Sequence, residues 1–195
     1  MDQRLSDLGI QPKYQAKNLK SFSSSSVTRK VLLKYINNLE DNFKKGIGLF
    51  ISGKTVCGKS ILANVIAMVA DAFGFSVRVM NMRELTEARL SPTSDFTEFL
   101  TVEFLVVDGI RLSTRDGRKY INEGMQVAMH DLVKERDGKL LPIIMATRLD
   151  LADSDDSIEE FFGDGISDLL KTNSIRVQCI RNQKLIDKAA RRVSR

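Results

Sequence analysis

Apolar residues along the chain follow two patterns, short runs and helical spacings, which alternate from residue 27 onward. Five stretches have the length and character of strands in a sheet: Ile47–Ile51, Ser76–Asn81, Val102–Val107, Leu141–Ala146 and Ser174–Ile180. Helical spacing predicts helices at Val27–Phe43, Ile61–Phe73, Met82–Leu90, Tyr120–Arg136 and, in two short pieces, Ile158–Leu170. Strands that alternate with helices predict an α/β fold, a three-layer sandwich around a parallel sheet of about five strands.

Polar segments lie outside these elements. Met1–Ser26 is predicted to be an extended arm that packs at its few apolar points, and Ser26 can cap the first helix. Loops are predicted at the basic stretch Ile110–Gly117 and the acidic stretch Leu149–Ser157, and Asn182–Arg195 is predicted to be a short basic helix or tail. We therefore expect an N-terminal arm at residues 1–26 and one domain at residues 27–195.

Composition excludes several classes of protein. No apolar stretch approaches the roughly 20 residues that cross a bilayer, and the start Met1–Asp7 lacks the apolar core of a secretory signal. We therefore expect a cytoplasmic protein with no membrane partner. Two cysteines far apart in sequence, with one histidine, exclude a disulfide framework and argue against a Cys/His zinc site. The net charge of +5 permits an anionic partner such as nucleic acid without establishing one.

The strongest chemical signal is Gly53–Ser60, which reads Gly-Lys-Thr-Val-Cys-Gly-Lys-Ser. A glycine, four free positions, Gly-Lys and a hydroxyl residue form the phosphate-loop pattern, and here the pattern lies between a predicted strand and a predicted helix. Gly53 and Gly58 let the backbone turn its amides toward a polyphosphate, and the helix N-terminus adds its positive end. A chance match in a Gly/Ser-rich connector is the alternative, which the flanking strand and helix disfavour.

Each position of this loop has a predicted role. Lys59 neutralises the terminal phosphates, the Ser60 hydroxyl binds magnesium, and Cys57 occupies a free position with no redox role. The predicted nucleotide contacts are Gly53, Lys54, Thr55, Val56, Cys57, Gly58, Lys59, Ser60 and Ile61.

Polar residues follow two of the predicted central strands. Asp108 comes directly after Val102–Val107, and Thr147 and Arg148 follow Leu141–Ala146. Open α/β sheets bind ligands at the carboxyl ends of their strands, so we expect these residues at the same edge as the phosphate loop. Asp108 would hold Mg²⁺ through water and the Ser60 hydroxyl. The alternative for Asp108 is a carboxylate that caps a turn.

With these motifs, the chain resembles the AAA+ ATPases of the helicase-loader group, the DnaC and DnaI type, with the transposition helper IstB as a close relative. The resemblance rests on Ile10–Tyr14 with Leu19 and Phe22, on Gly48–Ile51, on Phe104–Asp108 and on Leu141–Arg148. It implies a P-loop NTPase fold with an AAA+ RecA-like core, ATP and Mg²⁺ as cofactors, a role in DNA replication, and a trimmed member of phage or mobile-element origin. Lys59, Asp108, Thr147 and Arg148 are the catalytic candidates under this resemblance.

Three departures from the family pattern bear on hydrolysis. Gly109 stands where the family has a water-orienting acid, and Arg148 stands at the sensor position that is usually asparagine. Gly163–Leu170, the helix that resembles the family's arginine-finger helix, contains no arginine. The prediction is a protein that binds Mg-ATP but hydrolyses it slowly or needs a partner chain, with Arg176 or Arg181 as substitute arginines.

The resemblance also implies partners, namely a replicative DNA helicase, single-stranded DNA and self-assembly through the ATP site. The candidate DNA-binding residues are the basic cluster Arg111, Arg115, Arg118 and Lys119, with Arg83 and Arg89 as further candidates. A solvated basic face is an equally weighted alternative for the cluster.

Three other functions stay open from the sequence. An IstB-like transposition helper would bind duplex DNA and a transposase. A catalytically inactive nucleotide-binding adaptor would act by nucleotide-dependent assembly. A small-molecule kinase ranks third, because such kinases need a mobile arginine-rich lid and Arg111–Lys119 is short for that purpose.

Overall fold

The computed structural model describes residues 2–19, 26–55, 57–91, 96–110, 113–115, 118–151 and 157–179. Within these ranges the strands are β1 (Gly48–Ser52), β2 (Val77–Asn81), β3 (Phe104–Ile110), β4 (Ser113–Arg115), β5 (Arg118–Tyr120), β6 (Ile143–Thr147) and β7 (Ser174–Gln178). The helices are α1 (Gln3–Asp7), α2 (Pro12–Gln15), α3 (Ser26–Asn37), α4 (Leu39–Lys44), α5 (Lys59–Ala72), α6 (Met82–Leu90), α7 (Thr97–Thr101), α8 (Glu123–Gly138), α9 (Ile158–Phe162) and α10 (Asp164–Thr172).

Five strands form one sheet in the order β2-β3-β6-β1-β7, and every neighbouring pair is parallel. Side chains of β1 alternate between two apolar clusters. Leu49 and Ile51 pack on the side of α5, and Phe50 packs on the side of α8 and α10. Helices therefore cover both faces, which explains why the central strands are continuously apolar. The predicted three-layer α/β fold with a five-stranded parallel sheet is confirmed.

The N-terminal arm is helical where it was predicted to be extended. Asp2 caps α1 by accepting a hydrogen bond from the Leu5 amide, and Pro12 occupies the first turn of α2, where its missing N–H costs nothing. The prediction that the arm packs at apolar points is confirmed, because Ile10 is buried in the cluster beside α5.

The arm also covers the free side of the outer strand β2. The Val79 amide donates to the Leu8 carbonyl oxygen over 2.7 Å. Gly9 has a φ of +87°, and a Cβ there would lie 2.0 Å from the Val79 carbonyl oxygen. Only glycine therefore permits this approach, which satisfies part of a sheet edge that would otherwise be open to other chains.

Several predicted boundaries were wrong. Val27–Phe43 is two helices, because Asn38 leaves the helical conformation between α3 and α4. The predicted loop Ile110–Gly117 contains β4, which pairs with β5 in an antiparallel hairpin, and Tyr120 belongs to β5 instead of the following helix. Asn122 caps that helix by accepting from the Met125 amide over 2.8 Å.

Some segments lie outside the described residues, including the predicted basic tail Asn182–Arg195 and most of the acidic loop. Among the described residues, no helix has the length and apolar character needed to span a membrane.

Arg136, at the end of α8, is fully buried and donates to four carbonyl groups, three in residues 99–103 and one at Pro142. Nη1 donates to the carbonyl oxygens of Phe99 and Val102, both over 2.8 Å. Nη2 donates to those of Glu103 over 3.1 Å and Pro142 over 2.8 Å. Burial lowers the pKa of Arg136 to about 9, so the guanidinium stays charged at neutral pH. These bonds hold the starts of β3 and β6 against α8.

We predict that Arg136→Met lowers the free energy of unfolding by at least about 3 kcal/mol, because four carbonyl groups lose their donor. Urea unfolding followed by circular dichroism measures the change. Lys134→Met, at an exposed position of α8, is the matched control and should change stability by less than about 0.5 kcal/mol. Equal unfolding midpoints for the two variants would contradict the proposed role of Arg136.

Candidate nucleotide-binding site

The parallel sheet brings the carboxyl ends of β1, β3, β6 and β7 to one edge. Ser52 at the end of β1 is paired with Gln178 at the end of β7. On the other side of β1, the register places Asp108 opposite Ala146, next to Thr147. The phosphate loop leaves β1 at this edge. Asp108 and Thr147, the polar residues that the sequence placed at the ends of two strands, therefore lie at the same edge as the loop.

The phosphate loop depends on two glycines. Gly53 has a φ of +144°, and a Cβ there would lie 2.4 Å from the Cys179 carbonyl oxygen. Gly58 has a φ of +96° and directly precedes α5. Both conformations are unfavourable for residues with a Cβ, and the first is also sterically closed. The N-cap residue of α5 is Gly58, which has no side chain to cap the helix, so the first backbone amides stay available to the loop.

The Lys59 ammonium lies within the loop. Nζ donates to the carbonyl oxygen of Gly53 over 2.7 Å and to that of Lys54 over 2.8 Å. The backbone thus holds the positive charge at the mouth of the loop, beside the N-terminus of α5. A polyphosphate at this position would meet both the ammonium and the helix amides, which is the arrangement that favours anions.

A cleft of about 90 Å³ gathers the four catalytic candidates and both predicted Mg²⁺ ligands. It is lined by Thr55, Lys59, Ser60, Asp108, Gly109, Ile110, Ala146, Thr147 and Arg148. The hydroxyl of Ser60 and the carboxylate of Asp108 are oxygen donors of the kind that Mg²⁺ prefers, so the residues present fit this ion. The four catalytic candidates line one cleft, although they lie as far as 89 positions apart in sequence.

Thr147 and Arg148 differ in how firmly they are held. Thr147 is buried, its hydroxyl oxygen accepts from the Leu149 amide over 3.0 Å, and the hydroxyl donates to the Ile110 carbonyl oxygen over 3.4 Å. These bonds join the ends of β6 and β3. Arg148 follows on a bend and is exposed at the rim of the cleft. An exposed guanidinium can turn toward a bound phosphate without displacing buried groups.

Gly109 lies at an irregularity in β3. The register between β3 and β6 shifts between Asp108 and Ile110, and Gly109 adopts a φ of +78°. A Cβ at Gly109 would have open space, but the left-handed backbone disfavours any residue other than glycine. The missing acid therefore coincides with a backbone conformation that an acidic residue would strain.

The remaining predicted loop contacts take several environments. Lys54 and Thr55 are exposed, Ile61 is half-buried and Cys57 is buried. Val56 lies outside the described residues.

The proposed DNA-binding cluster falls on the hairpin. In the backbone register of β4 and β5, Arg115 lies opposite Arg118, and Lys119 lies opposite Thr114. The three basic positions therefore belong to one two-stranded element. Arg111 lies outside the described residues.

The other basic candidates have acidic neighbours or lie apart from the cleft. Arg83 bonds Glu87 over 2.6 Å and Arg89 bonds Asp131 over 2.5 Å, which weakens their case as phosphate contacts. Arg176 is exposed in the middle of β7, and Arg181 lies outside the described residues.

Sequence reasoning missed two residues that support the loop. Asn64 is buried on α5, and its Nδ2 donates to the Ser60 carbonyl oxygen over 2.7 Å. Cys179 follows β7, and its amide donates to the Ser52 carbonyl oxygen over 2.8 Å. A polar residue at an apolar position of a helix was the available signal for Asn64. Nothing local marked Cys179, because it approaches the loop only through strand pairing.

Comparison with solved structures identifies proteins of the same fold. The DnaC helicase loader superposes with a TM-score of 0.69 at 15% identity, covering 87% of this chain and 100% of that one. DnaI gives a TM-score of 0.67 at 12% identity, covering 91% and 97%. The replication initiator DnaA, bound to AMPPCP and single-stranded DNA, gives 0.63 at 17% identity, covering 87% of this chain and 50% of DnaA.

This chain has the same fold as the DnaC helicase loader. The likeness spans all of the solved DnaC chain and 97% of the solved DnaI chain, but only half of the solved DnaA chain. No protein-family model matches the sequence, and no curated protein matches it either. At these identities, the superpositions establish the fold alone.

We predict that Gly53→Ala lowers the free energy of unfolding by about 1–3 kcal/mol, because the new Cβ collides with the Cys179 carbonyl. Chemical unfolding measures the change. Gly165→Ala on α10 is the control, since among the described residues no heavy atom beyond its chain neighbours and the backbone of its own helix lies within 4 Å of a Cβ there. The control should be neutral or stabilised by roughly 0.5–1 kcal/mol. A Gly53→Ala protein as stable as the original would contradict the close approach of loop and strand.

Proposed function

We propose that this chain is an ATP-binding AAA+ protein that acts in DNA replication as a helicase loader or loader-like factor. The observation that carries the proposal is the cleft in which Lys59, Ser60 and Asp108 meet beside the N-terminus of α5. Lys59 would contact the terminal phosphates, and Ser60 and Asp108 would hold Mg²⁺. The fold shared with the DnaC helicase loader and with AMPPCP-bound DnaA supports this assignment.

Hydrolysis is proposed to be slow or dependent on a partner chain. Gly109 supplies no carboxylate to orient water, and the sequence of α10 contains no arginine. Each missing group can cost several orders of magnitude in rate. Assembly of copies through the ATP site would let Arg176 or Arg181 of one copy act on the nucleotide of the next, and Arg148 would sense the γ-phosphate from the rim of its own cleft.

The proposed macromolecular partners are single-stranded DNA and a replicative helicase. Three basic positions on the hairpin that follows the Asp108 strand would contact DNA phosphates. Only residues 111–112 separate the hairpin from β3 in the sequence, so the nucleotide site at Asp108 and the DNA-binding residues would be close along the chain. DnaA carrying both AMPPCP and single-stranded DNA supports this pairing of ligands on the same fold.

An inactive nucleotide-binding adaptor is the second candidate function. The observation in its favour is the left-handed conformation of Gly109, which disfavours a catalytic acid at this position. Such an adaptor would bind Mg-ATP and change its assembly without turnover.

We predict that Lys59→Ala weakens binding of a fluorescent ATP analogue with Mg²⁺ by about 10- to 100-fold, because a charge-assisted contact to phosphate is lost. Titration of the purified chain measures the dissociation constant. Lys134→Ala removes an exposed lysine of α8 and serves as the control, with affinity unchanged. Equal affinity in Lys59→Ala and the control would contradict the proposed nucleotide site.

Phosphate release in the same preparation distinguishes the two candidates. We expect little release with or without single-stranded DNA. Release that DNA stimulates would favour an active loader whose missing groups are compensated, and it would contradict the adaptor. Steady release by the chain alone, at rates typical of AAA+ ATPases, would contradict the proposed slow hydrolysis.

We predict that the triple variant Arg115→Ala, Arg118→Ala and Lys119→Ala binds single-stranded DNA more weakly. The slope of log K against log salt should fall by about 2, because three phosphate contacts are lost. Fluorescence anisotropy of a labelled oligonucleotide measures both quantities. Arg83→Ala, whose arginine is paired with Glu87, is the control and should retain the original slope. Tighter binding to duplex than to single strands would favour the transposition-helper alternative.

A further inference from the structure

The chain's two cysteines lie far apart in sequence but meet beside Gly53. A Cβ on Gly53 would lie 3.0 Å from the Cys57 sulfur and 2.4 Å from the Cys179 carbonyl oxygen. Both cysteines are buried, with 6% and 3% of their surface exposed, and both belong to the apolar cluster beside α5. One cysteine is therefore part of the phosphate loop, and the other follows the outermost strand next to it.

The surroundings of the two thiols are unequal. The Lys59 ammonium contacts the Cys57 sulfur over 3.6 Å. Burial, and after it the neighbouring Cys57 side chain, raises the pKa of the Cys179 thiol to about 12, while Lys59 acts in the opposite direction. Cys179 therefore stays protonated at neutral pH, and Cys57 is the thiol expected to react first.

Both cysteines contact the phosphate loop or the strand that leads into it. The Cys179 amide donates to the Ser52 carbonyl oxygen, which extends the pairing of β1 and β7 by one residue. The Cys57 sulfur contacts the lysine that would bind phosphate. A covalent bond between the sulfurs would fasten the loop to the end of β7 and restrain the backbone that must surround a phosphate.

We propose that Cys57 and Cys179 form a redox-sensitive thiol pair whose disulfide, made by reaction with a small-molecule disulfide, weakens nucleotide binding. The effect on nucleotide rests on the proposed function, whereas the pairing of the thiols does not. This revises the expectation that Cys57 has no redox role. Intracellular disulfides of this kind are usually transient and regulatory.

The reaction consists of two exchanges. The Cys57 thiolate attacks one sulfur of glutathione disulfide, forms a mixed disulfide and releases one glutathione thiolate. Cys179 then gives up its proton and attacks the Cys57 sulfur, which forms the Cys57–Cys179 bond and releases the second glutathione. Two protein thiols are oxidised and one glutathione disulfide is reduced to two thiols, which carry the two protons.

The test uses the full chain, reduced and then treated with glutathione disulfide. Mass spectrometry without reductant should show the loss of two hydrogen atoms and a peptide that links Cys57 with Cys179. Cys179→Ser should instead hold one glutathione on Cys57. Affinity for the fluorescent ATP analogue should fall at least about tenfold in the oxidised chain and recover with dithiothreitol, whereas Cys57→Ser should not respond.

Three other outcomes would each overturn a part of the proposals. Separate glutathione adducts on the two cysteines, with no internal link, would overturn the thiol pair. An internal disulfide with unchanged nucleotide affinity would overturn its effect on the loop. If the disulfide forms but the reduced chain binds no nucleotide, the pairing is confirmed and the proposed ATP site is overturned.

Discussion

The parallel pairing of β1 with β6 and β7 is the constraint on which the site depends. It fixes where the phosphate loop leaves the sheet and brings the ends of β6 and β7 to the same edge, and β3 joins them through its pairing with β6. A shift of one residue in this register would turn Leu49 and Ile51 to the opposite face and move Gly53 away from Cys179. The core and the loop are therefore specified by the same hydrogen bonds.

At several positions glycine permits two backbone segments to approach closely. Gly53 passes the Cys179 carbonyl, and Gly9 passes the Val79 carbonyl at the opposite edge of the sheet. At both places a side chain would force two backbones apart. The first approach shapes the phosphate loop, and the second holds the N-terminal arm against β2, which covers that edge of the sheet.

The groups that line the cleft suit the proposed binding of nucleotide better than its hydrolysis. Lys59, Ser60 and Asp108 supply charge and oxygen donors suited to Mg²⁺ and phosphate. Gly109 stands where the family that the sequence resembles has a water-orienting acid, and its left-handed conformation suits glycine. A protein with these groups is suited to hold a nucleotide and respond to it, with the thiol pair at Cys57 as a second input to the same loop.

The sequence by itself determined the five strands, the phosphate loop and the positions of Asp108 and Thr147 at strand ends, because periodicity and short motifs are local. Only the tertiary structure decided which strands are neighbours, that Arg136 holds β3 and β6 against α8, and that Cys179 reaches the loop. The arm and the hairpin were mispredicted although part of their conformation is local, since Asp2 caps α1 and β4 pairs with β5 a few residues further on. The contacts of Arg136 with Phe99 and of Cys179 with Ser52 instead join residues far apart in sequence, and no local pattern encodes them.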